Sequence, residues 1–449
     1  MTDLLALSSR IIDEAVTDEP VNRVTNELSE LADDLAIVES FSHCVALATD
    51  EGLVCFDVSG ARTGPAVVAA LRGWNEAPVH SIVYTHGHVD HVGGSPAVAA
   101  DAAERGQAQP QVVGHEAVAA RFDRYEATND FNLLINSRQF GGVSQRLNLG
   151  IGGEEARFLP EGALRPTRTF TSDDEINVGG KRIEVHHARG ETDDHLWAWL
   201  PERRWLFAGD FLIWNFPNAG NPQKVQRYPL EWATALRAMA AKRPELFVPA
   251  HGLPIADPDR IERVLHQVAS VLEQLVADVL DAMNAGATLD DIIHGVHVRQ
   301  DVLALPYLRP FYDEPEFVVH NVWRQYGGWW DGDFSRLKPA RASDLATEVA
   351  SLAGGVDALR ARAEALADAA TSADDLRVAC HLIELAVQAA PDDATVHTTR
   401  AAIYEQRRKA ESSLMAKGLF RAAAAESELA LGEVGADKPT RFGTPLNGI

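Results

Sequence analysis

SIVYTHGHVDHVGG, residues 81–94, is the stretch on which the reading of this chain turns. It opens with a short apolar run of the kind found in buried strands. Four side chains able to bind a metal follow within six residues: His86, His88, Asp90 and His91. A strand end running into a loop can aim His86 and His88 to one side and Asp90 and His91 to another. Neutral imidazoles and carboxylates are what zinc and similar ions accept. Gly87 and the Gly93-Gly94 pair allow tight backbone turns. The bland alternative is a surface loop that happens to be rich in histidine. Four ligand-type residues at this spacing, just after a buried run, argue against it.

Working outward, the flanking sequence alternates between two textures. AIVESF, CVALAT and GLVCFDVSG, between residues 36 and 60, are short β-rich runs separated by turn residues. GPAVVAALRGW, 64–74, has helical spacing. QVVGHEAVAARF, RIEVHHARG, LWAWLPERRWLFAGD and LFVPAHG supply further strands up to about residue 252. Such alternation predicts an α/β layered domain over 36–262. A helical, acidic arm, 1–35, precedes it. After Pro258 the texture changes. IERVLHQVASVLEQLVADVLDAMNAG has apolar positions every three or four residues and reads as a long amphipathic helix. DLRVACHLIELAVQAAPDDATVHTTRAAIYEQRRKAESS, 375–413, reads as paired helices joined at Pro391. The chain is therefore expected to continue as an all-helical domain over 263–435 and to end in a flexible tail, 436–449.

Composition narrows the function classes. The 449 residues carry 41 Lys and Arg against 65 Asp and Glu, a formal net charge of −24. A surface this acidic repels nucleic acid and anionic membrane at long range. An anionic small molecule remains admissible if a local cluster of cations and N–H donors receives it. The three cysteines, Cys44, Cys55 and Cys380, form no close-spaced metal pattern and no disulfide framework. The opening, MTDLLALSSRIIDEA, has early acids and no long apolar core. Neither a signal peptide nor a transmembrane helix is expected, and the expected location is the cytoplasm. No phosphate-cradling glycine loop and no serine or cysteine triad stands out.

THGHVDHVGG resembles the HxHxDH signature of the metallo-β-lactamase superfamily. The resemblance implies an αββα sandwich and a site for two metals, two Zn2+ per chain with iron or manganese as other occupants. It also implies three more ligands. These fall on Glu191 in ARGETDDH, Asp210 in LFAGD and His251 in VPAHG. One metal would take His86, His88 and Glu191, the other Asp90, His91 and His251, with Asp210 touching both. His187, Asp194 and His195 lie close enough to compete with Glu191. His195 is also a candidate for a donor that orients a ligand. His186 reads as an ordinary strand residue. Glutamate at position 191, where many family members have histidine, adds a hard, negative ligand. That lowers the Lewis acidity of the first metal and loosens its preference for zinc. Asp90 and Asp210 are the expected catalytic carboxylates. Two close cations bring water towards ionisation at neutral pH, and Asp90 can take up its proton.

EFVVHNVWRQYGGWWDGDFSRLKPA, 316–340, resembles the segment that opens the helical dimerisation region of alkyl and aryl sulfatases. That likeness implies a homodimer, as do the long amphipathic helices at 259–284 and 376–430. It also implies hydrolysis of small anionic esters, R–O–SO3⁻. FLIWNFPNAGNPQKVQRYPLEW, between Asp210 and His251, is dense in polar groups. Lys224 and Arg227 are expected to bind the anion, with Asn218 or Asn221 as neutral donors and Arg138 as a further cation. The sequence departs from the sulfatase pattern in three ways. Those enzymes have Glu where Asp210 stands, a richer arginine segment, and a further C-terminal lipid-carrier-like domain that is expected to be missing here. The departures favour a shorter or bulkier sulfate ester. A phosphodiester, thioester or lactone on the same metal core is the enzymatic alternative. A non-catalytic scaffold with a structural metal is the alternative of another class, and seven candidate ligands count against it.

Overall fold

The computed structural model describes residues 3–142 and 157–432. These divide into two compact units, one of residues 3–129 and 157–328, the other of 130–142 and 329–432. The expected tail, 436–449, lies outside the described residues.

The first unit is built on two sheets. β1 (Leu28–Ala32), β2 (Leu35–Val38), β3 (Cys44–Thr49), β4 (Gly52–Phe56), β5 (Val79–Val83), β6 (Gln111–His115) and β7 (Arg168–Phe170) lie side by side in chain order. The pairs from β1 to β4 are antiparallel and those from β4 to β7 are parallel. β8 (Asp173–Val178), β9 (Lys181–His187), β10 (Leu196–Leu200), β11 (Trp205–Gly209), β12 (Leu246–Pro249) and β13 (Ile255–Ala256) form the second sheet, where β11 and β12 are the parallel pair.

Burial follows the sequence pattern. β2 and β4 are buried at every position, as near-continuous apolar strands covered on both faces must be. β8 alternates, with Ile176 and Val178 turned inward and Glu175 and Asn177 turned out. The inner faces of the two sheets share one core containing Leu47, Val54, Ala198 and Leu206, and Phe56 stacks on Phe207 with ring centroids 4.0 Å apart. The helix Gly64–Trp74 packs on β1 and β2. The helix Pro258–Asn284 packs on β12, β13 and the helix Pro229–Ala241. The result is the expected helix–sheet–sheet–helix sandwich.

Three local expectations change in the structure. The arm is helical only over Leu4–Glu14, and its Leu4, Leu7, Ile11 and Ile12 are buried in the sandwich core. The chain leaves the helix with Ala15 at φ 53°, passes Pro20, and forms the β1–β2 hairpin around Asp33 and Asp34. Strand pairing there overrides weak helical propensity. The long helix Pro258–Asn284 buries its apolar face (Ile261, Val264, Leu265, Val268, Leu272 and their successors) within the same core. The compact division therefore falls after Gly328, not at 262. Finally, Gly94 has an ordinary helical φ of −80° and is needed for space rather than turning. A Cβ there would meet the Val58 carbonyl oxygen at 2.0 Å.

The second unit is helical. Ala342–Ala353, Val356–Ala369, Leu376–Ala389, Ala394–Ala410 and Leu414–Ala430 pack around Leu359, Ala363, Ile383, Val396 and Ile403. The expected pair joined at Pro391 is present. Among the described residues no helix is long and apolar enough to cross a membrane.

Candidate metal centre

The seven expected ligands all come from the carboxyl ends of strands. β5 runs into His86 and His88, and the short helix Val89–Val92 carries Asp90 and His91. Glu191 lies in the β9–β10 connection, Asp210 follows β11, and His251 follows β12. Strand ends bring together residues far apart in sequence because neighbouring strands hold them side by side. The donors form two groups: His86, His88, Glu191 and Asp210, and then Asp90, His91 and His251. Within each group the ligand atoms lie within 4.8 Å of one another.

Asp210 lies between the groups. Its Oδ2 is 3.9 Å from His86 Nε2, 3.4 Å from His91 Nε2 and 3.6 Å from His251 Nε2. His88 Nδ1 is 3.7 Å from Glu191 Oε1. Asp90 Oδ2 is 3.5 Å from His91 Nε2 and 3.4 Å from His251 Nε2. These separations exceed hydrogen bonds, and the atoms converge. His91 Nε2 and Asp210 Oδ1 are buried with no hydrogen-bond partner among the described residues. Three carboxylates and four imidazoles crowded together, with His86, His91, Glu191 and Asp210 buried, are costly unless cations compensate them. Burial drives His86 and His88 well below the ordinary histidine range, which keeps them neutral and able to coordinate. Burial pushes Glu191 up to about 8, against the pull of Arg227, and the nearby Asp210 adds to the rise. The donor set and its unpartnered atoms fit divalent metal ions.

A supporting network holds the ligands from behind. Asp57 Oδ2 lies 2.8 Å from His91 Nδ1 and accepts the Thr85 hydroxyl at 2.6 Å, while Asp57 Oδ1 accepts the Thr85 N–H at 2.8 Å. Ser42 Oγ also reaches His91 Nδ1, at 3.0 Å. Such partners fix the imidazole tautomer and aim. The sequence reading passed over Asp57. Its signal was present, since it follows the buried run GLVCF as Asp210 follows WLFAG.

The competitors for Glu191 have other tasks. Asp194 accepts the Gly87 N–H at 3.0 Å and pairs with Arg121 Nε at 2.8 Å. His195 Nε2 accepts the Asp210 N–H at 3.2 Å, so towards Asp210 it is an acceptor on the backbone, not the donor expected. His187 stacks on His115, and His186 stacks on Trp197.

The expected anion-binding residues part company. Arg227 is buried, with NH1 2.8 Å from Glu191 Oε1 and 2.5 Å from the Glu191 carbonyl oxygen. Asn218 Nδ2 donates to Glu191 Oε1, the carboxylate oxygen that Arg227 also reaches. Asn221 accepts the Gln223 N–H at 3.0 Å. Lys224 Nζ sits 5.9 Å from the centre of the Phe158 ring, and burial lowers it to about 7, with the charge of Arg227 adding to the fall. Arg138, on the helix Asn129–Gln139, lies 3.8 Å from Glu426 in the second compact unit.

Two facing sheets with a cluster of metal donors at their strand ends define the metallo-β-lactamase class of fold and site. Comparison with known proteins agrees. The metallo-beta-lactamase superfamily profile matches residues 37–251, and the alkyl sulfatase dimerisation profile matches residues 288–429. A linear primary-alkylsulfatase of Pseudomonas sp. is 25% identical over 322 residues, 68% of this chain and 60% of that protein. An alkyl/aryl-sulfatase of Saccharomyces cerevisiae is 23% identical over 303 residues, 64% of this chain and 46% of that protein. A stereoselective inverting sec-alkylsulfatase of Pseudomonas sp. shares the fold, with a TM-score of 0.77 at 19% identity over 91% of this chain and 66% of the other. The chain thus carries a metallo-β-lactamase superfamily domain joined to an alkyl sulfatase dimerisation domain, and spans less than two thirds of the relatives it matches.

Proposed function

We propose that the protein is a metal-dependent hydrolase of small anionic sulfate esters. The observation that carries this reading is the pair of donor groups converging on Asp210. One metal would be held by His86, His88 and Glu191, the other by Asp90, His91 and His251, with Asp210 common to both. Zinc is the first choice, and the hard oxygen of Glu191 also suits iron or manganese. Bound there, the ions would supply Lewis acidity and a lowered pKa for water.

The protein's own groups do the rest. Asp90 is the most exposed of the three carboxylates, with 28% of its side chain open, and it takes the proton of the attacking water. Asp57 holds His91 in one tautomer. Arg227 and Asn218 hold the Glu191 carboxylate in one orientation. Lys224, half-buried near the donors, would meet the ester's sulfate group, with Asn221 as a neutral donor. Water and R–O–SO3⁻ become the alcohol and hydrogen sulfate.

The alkylsulfatase relatives support this substrate class. The dimerisation match supports a homodimer, as do Trp329, Phe334 and Leu352, which are 72%, 84% and 89% exposed in the second unit. A cytoplasmic location fits three free thiols.

The test is a panel of short and long alkyl sulfates, aryl sulfates, phosphodiesters, thioesters and lactones offered to the metal-loaded protein. Sulfate esters should lead, two metals should be bound per chain, and chelation should abolish turnover. Preference for a neutral lactone or thioester would overturn the substrate class. Fewer than one metal per chain with full activity would overturn the mechanism. Sedimentation should report twice the chain mass.

A further inference from the structure

The helix Pro315–Gly327 falls in the stretch matched to alkyl sulfatase dimerisation, yet it belongs to the metal-bearing unit. It is seated against the loop that carries Asn218 and Arg227. Gly220 is so close that a Cβ there would come within 2.2 Å of Phe317 C and Val318 N. Asp313, fully buried just ahead of the helix, accepts the Gly220 N–H through Oδ2 at 2.8 Å and the Glu314 N–H through Oδ1 at 2.8 Å. Asn321, buried on the helix, donates Nδ2–H to the Arg227 carbonyl at 2.9 Å. Its Oδ1 accepts the Arg227 N–H at 3.3 Å and the Gln226 side chain at 3.1 Å.

Both anchors act on the pieces that grip Glu191. One fixes the backbone two residues beyond Asn218, and the other fixes the backbone of Arg227 itself. A guanidinium on a long stem has much rotamer freedom to lose. Pinning its main chain on both sides confines that freedom, so the cation stays 2.8 Å from Glu191 Oε1. Without the anchors, the guanidinium and the amide that grip Glu191 Oε1 would no longer be fixed, and the carboxylate would lose the contacts that aim it.

We propose that Asp313 and Asn321 are positioning residues for Glu191, so that a helix of the dimerisation stretch fixes the side chains that aim one ligand of the metal site. This rests on the two-metal reading above. The test is zinc titration of metal-free protein in competition with a chromophoric chelator, with folding followed by circular dichroism. The wild type should take two zinc ions per chain; fewer than two would overturn the two-metal reading itself. Asn321→Leu and Asp313→Asn, made separately, should each weaken one zinc about 10–100-fold and leave the other unchanged. Asn321→Leu should have little effect in a Glu191→His background, which lacks the carboxylate oxygen that Arg227 and Asn218 hold. Wild-type affinity for both ions in the folded variants would overturn the proposal. So would an equal loss from Asn321→Leu with Glu or His at 191. Asp313→Asn keeps the proposal testable if the leucine variant does not fold.

Discussion

Both compact units bury charge, and they do it differently. In the helical unit Arg400 is nearly enclosed, and every direction it points meets a partner. Its Nε is 2.6 Å from Glu384, its NH2 is 3.3 Å from Glu426, and its NH1 donates to the Ala423 carbonyl and to Ser427 Oγ. In the sandwich unit, Asp210 and His91 are as deeply buried, and Asp210 Oδ1 and His91 Nε2 have no hydrogen-bond partner among the described residues. Charge closed on itself is architecture. Charge left open around one point is a place for something else. Buried polar groups are otherwise satisfied almost without exception.

That contrast can be broken at four points. The largest effect belongs to Asp210→Ala. Loss of a group that merely supports a ligand costs about 10–100-fold, so loss of the shared ligand should cost more than about 100-fold in sulfate-ester turnover. Metal content and turnover measured on the same preparation check it, and two retained metals would remove Asp210 from the site. Next comes Asp57→Ala, which takes the carboxylate from His91 Nδ1 and leaves Ser42 Oγ beside it. It should weaken one metal by about 10–100-fold with little change in unfolding. Chelator competition reads the loss.

Arg400→Met should do the reverse. Breaking a fully buried ion pair costs about 3–5 kcal/mol, and the half-open Glu384 and Glu426 reduce this to about 2 kcal/mol. Denaturant unfolding should show that loss with metal content unchanged. Loss of metal in this variant would erase the distinction between the two regions. The smallest effect is a pH dependence. Burial pushes Asp313 up to about 7 in the folded chain from an ordinary value near 3.8. Its raised folded value means stabilisation that is full below about pH 4 and lost as pH rises through 7. Asp313→Asn should remove that slope from melting curves of the metal-free protein, whatever it does to the overall melting temperature.

Much of the fold could be read along the chain. The buried strands from β2 to β5, the helix from Pro258 and the pair joined at Pro391 all have the period of their final structure. The positions of the candidate donors at strand ends were also legible, because a carboxylate or imidazole just after an apolar run marks such an end. Asp57 carried the same mark and was missed, since no signature drew attention to it. The arm was misjudged beyond Glu14 because the partner of β1 is β2, and pairing is not a local property. The long helix was expected to help a second domain. Its apolar stripe is real, but the surface that covers it belongs to the sandwich.

By itself the sequence determined which groups are available for metals, their order along the chain and their arrival at strand ends, because each of these depends on neighbours a few residues away. The tertiary structure alone decided what those groups face. It turned Arg227 and Asn218 onto Glu191, set Asp57 behind His91 and laid a helix of the dimerisation stretch against the loop that supports Glu191. Those choices depend on chain segments about 30 to 100 residues apart, brought to hydrogen-bond distance by packing. No local pattern encodes such a distance.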